Sequence, residues 1–257
     1  MKATLPSRLG TLVRIAEAAG EVVMRHYRAG CDARVKPDRS PVTDADEEAE
    51  RLILAELAKA FPDVPVVAEE ETAAGRVSKV GSRFFLVDPV DGTKEFLKRG
   101  GEFTVNIGEI VDCRPASGVV LAPAIGRLFV GGAGEGAFEL SHGTMRDIAC
   151  RTPAPDGLVA VSSRSHPDAR TDELLKTLPI KGHTNAGSSL KFCLVAAGEA
   201  DIYPRAGETM EWDTAAGHAV LHAAGGTVTN WDGTPLLYGK PGFRNGPFIA
   251  RGAYPPT

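Results

Sequence analysis

Leu9, Leu12, Val13, Ala16, Ala19, Val23 and Tyr27 recur at the spacing of one helical face. They predict an amphipathic helix over residues 6–28, stopped by Gly30. A polar loop over 32–41 leads to a second helix starting near Thr43, a good N-cap. Asp44, Asp46, Glu47 and Glu48 crowd its first turn, where acids suit the positive end of the helix dipole. Ala49, Leu52, Ile53 and Leu57 form its apolar face, and Pro62 follows its end. By spacing alone, Asp46 reads as simple dipole compensation. The pattern then shortens to strands over 64–68, 84–87, 103–111, 119–121, 127–130 and 137–140. Glycines 131, 132, 134 and 136 read as a hairpin turn between the last two. Pro and Asp gather over 151–157 and suggest a boundary between two lobes, 1–152 and 153–257. Beyond it, strands over 158–162, 201–203, 226–229 and 248–250 alternate with helices over 167–178, 188–197 and 212–224.

Two of these strands end in acids. The run Phe84-Phe85-Leu86-Val87 reads as a buried strand, followed by Asp88-Pro89-Val90-Asp91-Gly92-Thr93. Pro89 has no N–H to donate, so the ladder is expected to end there and hold Asp88 and Asp91 on a stiff turn. Gly92 permits close approach of the backbone to a ligand, and Thr93 supplies a hydroxyl. Clustered carboxylates repel one another unless a cation lies between them. A solvated acidic turn would not need Asp, Pro, Asp, Gly and Thr together. Glu69-Glu70-Glu71 follows the 64–68 strand in the same way. A glutamate run is usually a solvated face, but two strands ending in acids can bring both to one sheet edge. In the second lobe, Asp213 opens a helix whose first turn is Thr214-Ala215-Ala216-Gly217, small enough to pack closely on a sheet. Helix capping and metal binding explain that acid equally well.

Bulk properties narrow the class. At 257 residues the chain can form one large domain or two lobes, and 43% hydrophobic with 24% charged residues is ordinary for a globular protein. A net charge of -4 gives no reason to expect a nucleic-acid polymer as partner. No apolar run reaches the roughly 18 residues of a membrane span. The first ten residues lack a signal-peptide core, and Cys31, Cys113, Cys150 and Cys193 form no C-x-x-C pair. These features predict a cytoplasmic protein with reduced thiols, with peripheral attachment to the inner membrane left open, and no protein partner is evident. No H-E-x-x-H spacing is present, which argues against a zinc hydrolase. An all-oxygen set, Glu69, Asp88, Asp91 and Asp213, points to Mg²⁺ or Mn²⁺. A pair of such ions about 3.5–4 Å apart suits phosphoryl chemistry.

Glu69-Glu70, Asp88-Pro89-Val90-Asp91-Gly92-Thr93 and Trp212-Asp213-Thr214-Ala215-Ala216-Gly217 resemble, in order, the three signatures of the inositol monophosphatase superfamily. Its members are Mg²⁺-dependent, lithium-sensitive phosphomonoesterases. The resemblance spans nearly the whole chain, and three separate motifs are far more specific than one. It implies a layered αβαβα sandwich like that of inositol monophosphatase and fructose-1,6-bisphosphatase. One departure is Ala68, where relatives often carry Ser or Gly. By resemblance, Glu69, Asp88 and the Val90 carbonyl hold one Mg²⁺, and Asp88, Asp91 and Asp213 a second. A third, weaker ion would use Glu69 and waters. Glu70 and Thr93 would orient the attacking water, with Asp46 bonded to Thr93. The N–H groups of Gly92 and Thr93 would cradle the phosphate.

Within the superfamily the chain most resembles the 3'(2'),5'-bisphosphate nucleotidases. Asp91-Gly92-Thr93-Lys94-Glu95-Phe96, Gly187-Ser188-Ser189-Leu190-Lys191-Phe192 and Ala200-Asp201-Ile202-Tyr203-Pro204-Arg205 carry that match. The implied substrate is adenosine 3',5'-bisphosphate (PAP), or its sulfated relative PAPS, a small nucleotide of sulfate assimilation. Lys191 and Arg205 would hold the phosphate that is not cut, with Ser188, Arg164 and His166 as further candidates. An inositol or sugar monophosphatase is the alternative on the same scaffold. Lys94-Glu95-Phe96 argues against it, since inositol phosphatases typically read Thr-Asn-Phe there. A non-enzymatic ion-binding protein would not require Thr93 beside a full ligand set.

Overall fold

The computed structural model describes residues 5–30, 32–36, 41–163 and 168–254. Helices α1 (Ser7–Ala29) and α2 (Asp44–Ala60) pack side by side. A pair of two-residue antiparallel strands, β1 (Arg34–Val35) and β2 (Pro41–Val42), lies between them in the chain. Thr43 caps α2 as its polarity predicts, and its N–H and hydroxyl both donate to Asp46.

A seven-stranded sheet follows in sequence order. Its strands are β3 (Val66–Ala68), β4 (Arg83–Asp91), β5 (Thr104–Val111), β6 (Arg114–Ala122), β7 (Arg127–Gly132), β8 (Gly136–Ser141) and β9 (Thr144–Asp147). Only β3 and β4 run parallel; every other neighbour is antiparallel. Short helices α3 (Glu69–Ala73) and α4 (Thr93–Leu97) follow β3 and β4. The second half builds a mixed five-stranded sheet from β10 (Leu158–Ser163), β11 (Ile180–Ala186), β12 (Ile202–Arg205), β14 (Thr227–Asn230) and β16 (Phe248–Arg251). Their order is β11-β10-β12-β16-β14. A small pair, β13 (Thr209–Met210) with β15 (Arg244–Asn245), stands apart. Helices α5 (Ala169–Lys176), α6 (Leu190–Ala196) and α7 (Glu211–Ala223) complete the chain.

Strand alternation sorts the layers. Phe85 and Val87 join the α1 and α2 side chains in one core, while Phe84 and Leu86 join α6 and α7 in another. That is why residues 84–87 of this strand are apolar at every position: both of its faces are buried there. Leu175 of α5 packs with Leu158, Ala160, Ile202 and Ile249 on the far face of the second sheet. The result is the expected αβαβα sandwich. Among the described residues no helix is long and apolar enough to cross a membrane.

Helix α7 is the central layer, and glycines let it in. Gly108, Gly118 and Gly131 are register partners across β5, β6 and β7. A Cβ on Gly108 would meet Ala215 and Ala216 at 2.7 Å, one on Gly118 the Ala216 carbonyl at 2.6 Å, and one on Gly131 Ala223 at 2.9 Å. On another side, Gly217 presses against Phe192 of α6, where a Cβ would stand 2.7 Å away. The small first turn of α7 and the glycine stripe are two halves of one contact.

Several expectations need correction. Pro89 does not end β4; the strand runs on to Asp91. Asp88 pairs with Asn106 and Asp91 with Thr104, so a bulge absorbs the residue that cannot donate. Gly131 and Gly132 belong to β7, and only the stretch between Gly132 and Gly136 turns. The 188–197 helix starts at Leu190, because Ser188 sits at φ 51. Strands β9 and β11 escaped the hydrophobic pattern because both lie at sheet edges and are largely solvent-facing. The forecast start of the 167–178 helix falls outside the described residues, and Asp168 caps the helix.

Placing a methyl on the glycine stripe tests the role of α7. Gly118→Ala should cost about 1–3 kcal/mol through overpacking. That corresponds to a Tm loss of roughly 2–4 °C for each kcal/mol in a domain of this size. Gly81→Ala, with nothing near its Cβ, should leave Tm almost unchanged. Equal shifts in thermal melts would remove the stripe as the seat of α7.

Candidate active site

The parallel pairing of β3 with β4 aligns Ala68 with Val87, so the next residues, Glu69 and Asp88, emerge together. Their carboxyls are in hydrogen-bond contact. Asp91 comes from the far end of the β4 bulge, and Asp213 from the first turn of α7. Burial, then repulsion from Glu69, Asp91 and Asp213, pushes the Asp88 carboxyl well above the ordinary range. Burial and Asp91 do the same to Asp213. Asp91 is pushed up to about 6 by burial, although Lys191 and the Ser189 N–H pull the other way. Such mutually repelling, largely enclosed carboxyls are what a cation would stabilise.

Each acid has its own tether. Asp88 Oδ1 accepts from the Val90 N–H at 3.0 Å, Asp91 Oδ2 from the Ser189 N–H at 2.6 Å, and Asp213 Oδ2 from the Met210 N–H at 2.8 Å. Asp213 therefore does cap its helix. Lys36 Nζ reaches Glu69 Oε1 at 2.7 Å and Glu70 Oε1 at 2.6 Å. Burial works against this ammonium, but the two glutamates outweigh it and raise its pKa. Burial, then Glu69, pushes Glu70 up to about 7. Among the described residues no three acids, histidines or cysteines already close on one point in metal-binding geometry. The donor set nevertheless fits a hard divalent ion. It is all oxygen, and Asp88, Asp91 and Asp213 repel one another at close quarters.

Thr93 Oγ1 lies 3.3 Å from Asp46 Oδ1 and 3.2 Å from the Val90 carbonyl, so Asp46 combines capping with a contact to Thr93. Burial pushes Asp46 up to about 6. Gly92 is left-handed at φ 89, and a Cβ there would lie 2.2 Å from Ser188 Oγ. That Ser188 hydroxyl is turned to main-chain carbonyls, Asp91 O at 2.7 Å and Glu102 O at 3.0 Å. Ser188 thus clamps the Asp91–Gly92 turn to the second half of the chain.

One cleft is lined by Glu69, Asp91, Gly92, Thr93, Asp213, Lys191 and Arg205 together. Lys191 is buried, donates to the Ser188 carbonyl at 2.6 Å and lies 5.3 Å from the Tyr203 ring centroid. Burial lowers its pKa to about 8 against the pull of Asp91. Arg205 bonds Tyr203, and its buried Nε has no partner among the described residues. Arg164 and His166 lie outside the described residues.

Sequence reading missed three supports. Lys36 belongs to no motif. Glu50, buried in α2, accepts the N–H groups of Glu70 and Glu71, both at 2.8 Å, and so fixes the start of α3. Glu211, fully buried, accepts from the Gly239 N–H at 2.7 Å and the Lys240 N–H at 3.0 Å, anchoring the start of α7. A charged residue at an apolar helical position is the signal that could have flagged Glu50, since it falls one residue after Ala49 and three before Ile53.

The profile of the inositol monophosphatase family matches residues 7–252. The 3'(2'),5'-bisphosphate nucleotidase CysQ of Escherichia coli (strain K12) is 45% identical over 244 residues, 92% of this chain and 98% of that protein. Its Salmonella typhimurium counterpart is 43% identical over the same shares. The crystal structure of CysQ from Bacteroides thetaiotaomicron superposes with a TM-score of 0.79 at 35% identity, covering 97% of this chain and 98% of that one. An inositol monophosphatase from Anabaena gives a TM-score of 0.74 at 29% identity, covering 96% and 91%. With its acids gathered at one sheet edge and the match running almost end to end, this chain belongs to the inositol monophosphatase family.

Proposed function

We propose that this protein is a 3'(2'),5'-bisphosphate nucleotidase, hydrolysing PAP to AMP and phosphate, with the sulfated relative PAPS as a second substrate. The observation that carries the reading is the pairing of two cations, buried Lys191 and half-buried Arg205, with the acid cluster in one cleft. The Arg205 guanidinium lines that cleft, and its planar fork suits the oxygens of a phosphate. The similarity to CysQ proteins over nearly the full chain supports the same substrate class.

Glu69, Asp88 and the Val90 carbonyl would hold one Mg²⁺, and Asp88, Asp91 and Asp213 a second, with a third weaker ion at Glu69. Bound there, Mg²⁺ supplies a more acidic water and neutralises charge on the leaving oxygen. The chain's own groups do the positioning. Glu70 and Thr93 orient the attacking water, and Asp46 holds the Thr93 hydroxyl in place. Gly92 and Thr93 N–H groups receive the scissile phosphate at the start of α4. Lys191 and Arg205 hold the phosphate that stays, Arg205 through a planar fork and Lys191 as a point charge.

Metal removal is the first test. Chelation should abolish phosphate release, Mg²⁺ should restore it, and Li⁺ should inhibit through the weakest site. Full turnover in excess EDTA would falsify the metal reading.

Asp91→Asn keeps the acceptor for the Ser189 N–H, so the protein should still fold. Its kcat should fall by at least about 10²-fold. A folded variant with normal kcat would remove Asp91 from the catalytic set.

Substrate choice is tested by comparing PAP with inositol 1-phosphate. Arg205→Ala should lower kcat/KM for PAP by about ten- to a hundredfold, the scale of one charge-assisted contact. Inositol 1-phosphate has no second phosphate to lose, so its kcat/KM should barely change. An equal loss on both would make Arg205 a structural residue. A wild type that favours inositol 1-phosphate would make the protein a monophosphatase instead.

A further inference from the structure

A second cavity of about 200 Å³ opens beside α7, lined by Arg114, His218, His222, Thr227, Val228 and Leu236 among others. His218 and His222 stand one helical turn apart, so they share a face of α7. Their burial differs. His218 is buried, whereas Arg114 and His222 are exposed. The cavity thus has an imidazole at its floor and two basic groups at its rim. Apolar Val228 and Leu236, with Pro115 and Pro235, form its walls. No acidic side chain is among the described residues lining it.

A directed chain of hydrogen bonds sets the state of His218. Thr214 has one hydroxyl proton, which goes to the Glu211 carbonyl at 3.2 Å. Its oxygen accepts from the Tyr238 hydroxyl at 3.3 Å and from Asn245 Nδ2 at 3.0 Å. The Tyr238 hydroxyl lies 2.9 Å from His218 Nδ1, and with its proton on Thr214 it accepts from that nitrogen. In that arrangement Nδ1 carries the proton and Nε2, on the opposite side of the ring, is an acceptor. Burial, with His222 and Arg114 nearby, lowers the pKa of this imidazole to about 3, so it is neutral near pH 7. His218 Nε2 makes no hydrogen bond among the described residues, and it is not one of the sealed, unpartnered atoms of the interior.

The cavity thus presents one acceptor, one guanidinium and an apolar wall. A ligand that satisfies all three carries a carboxylate for Arg114, a neighbouring N–H or O–H for His218 Nε2, and a short aliphatic body. We propose that this cavity is a binding site for a small aliphatic α-amino or α-hydroxy acid, separate from the phosphate-handling cleft. The exposed His222 adds a second donor to the carboxylate.

Titration calorimetry with L-valine on the full-length protein tests the site, with isobutyrate, which lacks the amino group, alongside. Valine should bind saturably. Isobutyrate should bind about tenfold more weakly, the scale of one hydrogen bond to a buried group. Arg114→Ala, at an exposed position, should weaken valine by about ten- to a hundredfold without lowering Tm. In imidazole ¹⁵N spectra, His218 should show a protonated Nδ1 and an unprotonated Nε2, and only the Nε2 resonance should move strongly with valine. Absence of saturable binding up to the solubility of valine would overturn the proposal. So would unchanged affinity in folded Arg114→Ala, equal binding of isobutyrate, or a His218 proton found on Nε2.

Discussion

Everything at the active site depends on how closely α7 can approach the seven-stranded sheet. The glycine row across β5, β6 and β7 removes the side chains that would hold the helix off. Ala215, Ala216 and Ala219 then lie almost on the sheet backbone. This contact carries Asp213 from the second half of the chain to the acids of the first. A sheet with ordinary side chains in that row would displace the helix by several tenths of an ångström or more, and Asp213 with it. Buried Glu211 fixes the other coordinate, by binding the 239–240 backbone just ahead of Asp213.

The second constraint is charge. Buried Asp88 and half-buried Asp91 and Asp213 lie within one another's fields, and all three have raised pKa values. Backbone N–H groups aim each of them without neutralising it. A site built this way is poised for a divalent cation, because rigid carboxylates that cannot relax away from each other gain most from one. Lys36 plays a related part at half-buried Glu69 and Glu70, balancing both acids with one buried ammonium.

The Ser188–Ser189 corner couples the two halves. Ser189 tethers the Asp91 carboxylate, while Ser188 holds the Asp91 carbonyl and, through its left-handed backbone, sets where α6 begins. Lys191 follows on that short helix, so its ammonium is placed by the same corner that fixes the acid. The cleft thereby keeps a fixed spacing between acids and cations.

The layer architecture was legible in the sequence, because periodicity of 3.6 or 2 follows directly from which faces are buried. The doubly buried β4, the long helices α1 and α2, and α7 all declared themselves in this way. So did the site acids, since Asp-Pro-x-Asp-Gly-Thr and Trp-Asp carry their chemistry in adjacent residues. Tertiary structure alone decided the rest. Edge strands β9 and β11 leave little hydrophobic trace because they bury little. The passage of β4 through Pro89 depends on a bulge against β5, which local propensity does not encode. Lys36 and Glu50 reach the site from segments without a motif, Ser189 does so by a backbone N–H that no motif marks, and their contacts cross 33, 20 and 98 residues of chain. A sequence reports spacing along the chain; which distant backbone N–H will meet which carboxylate is settled only once the layers have packed.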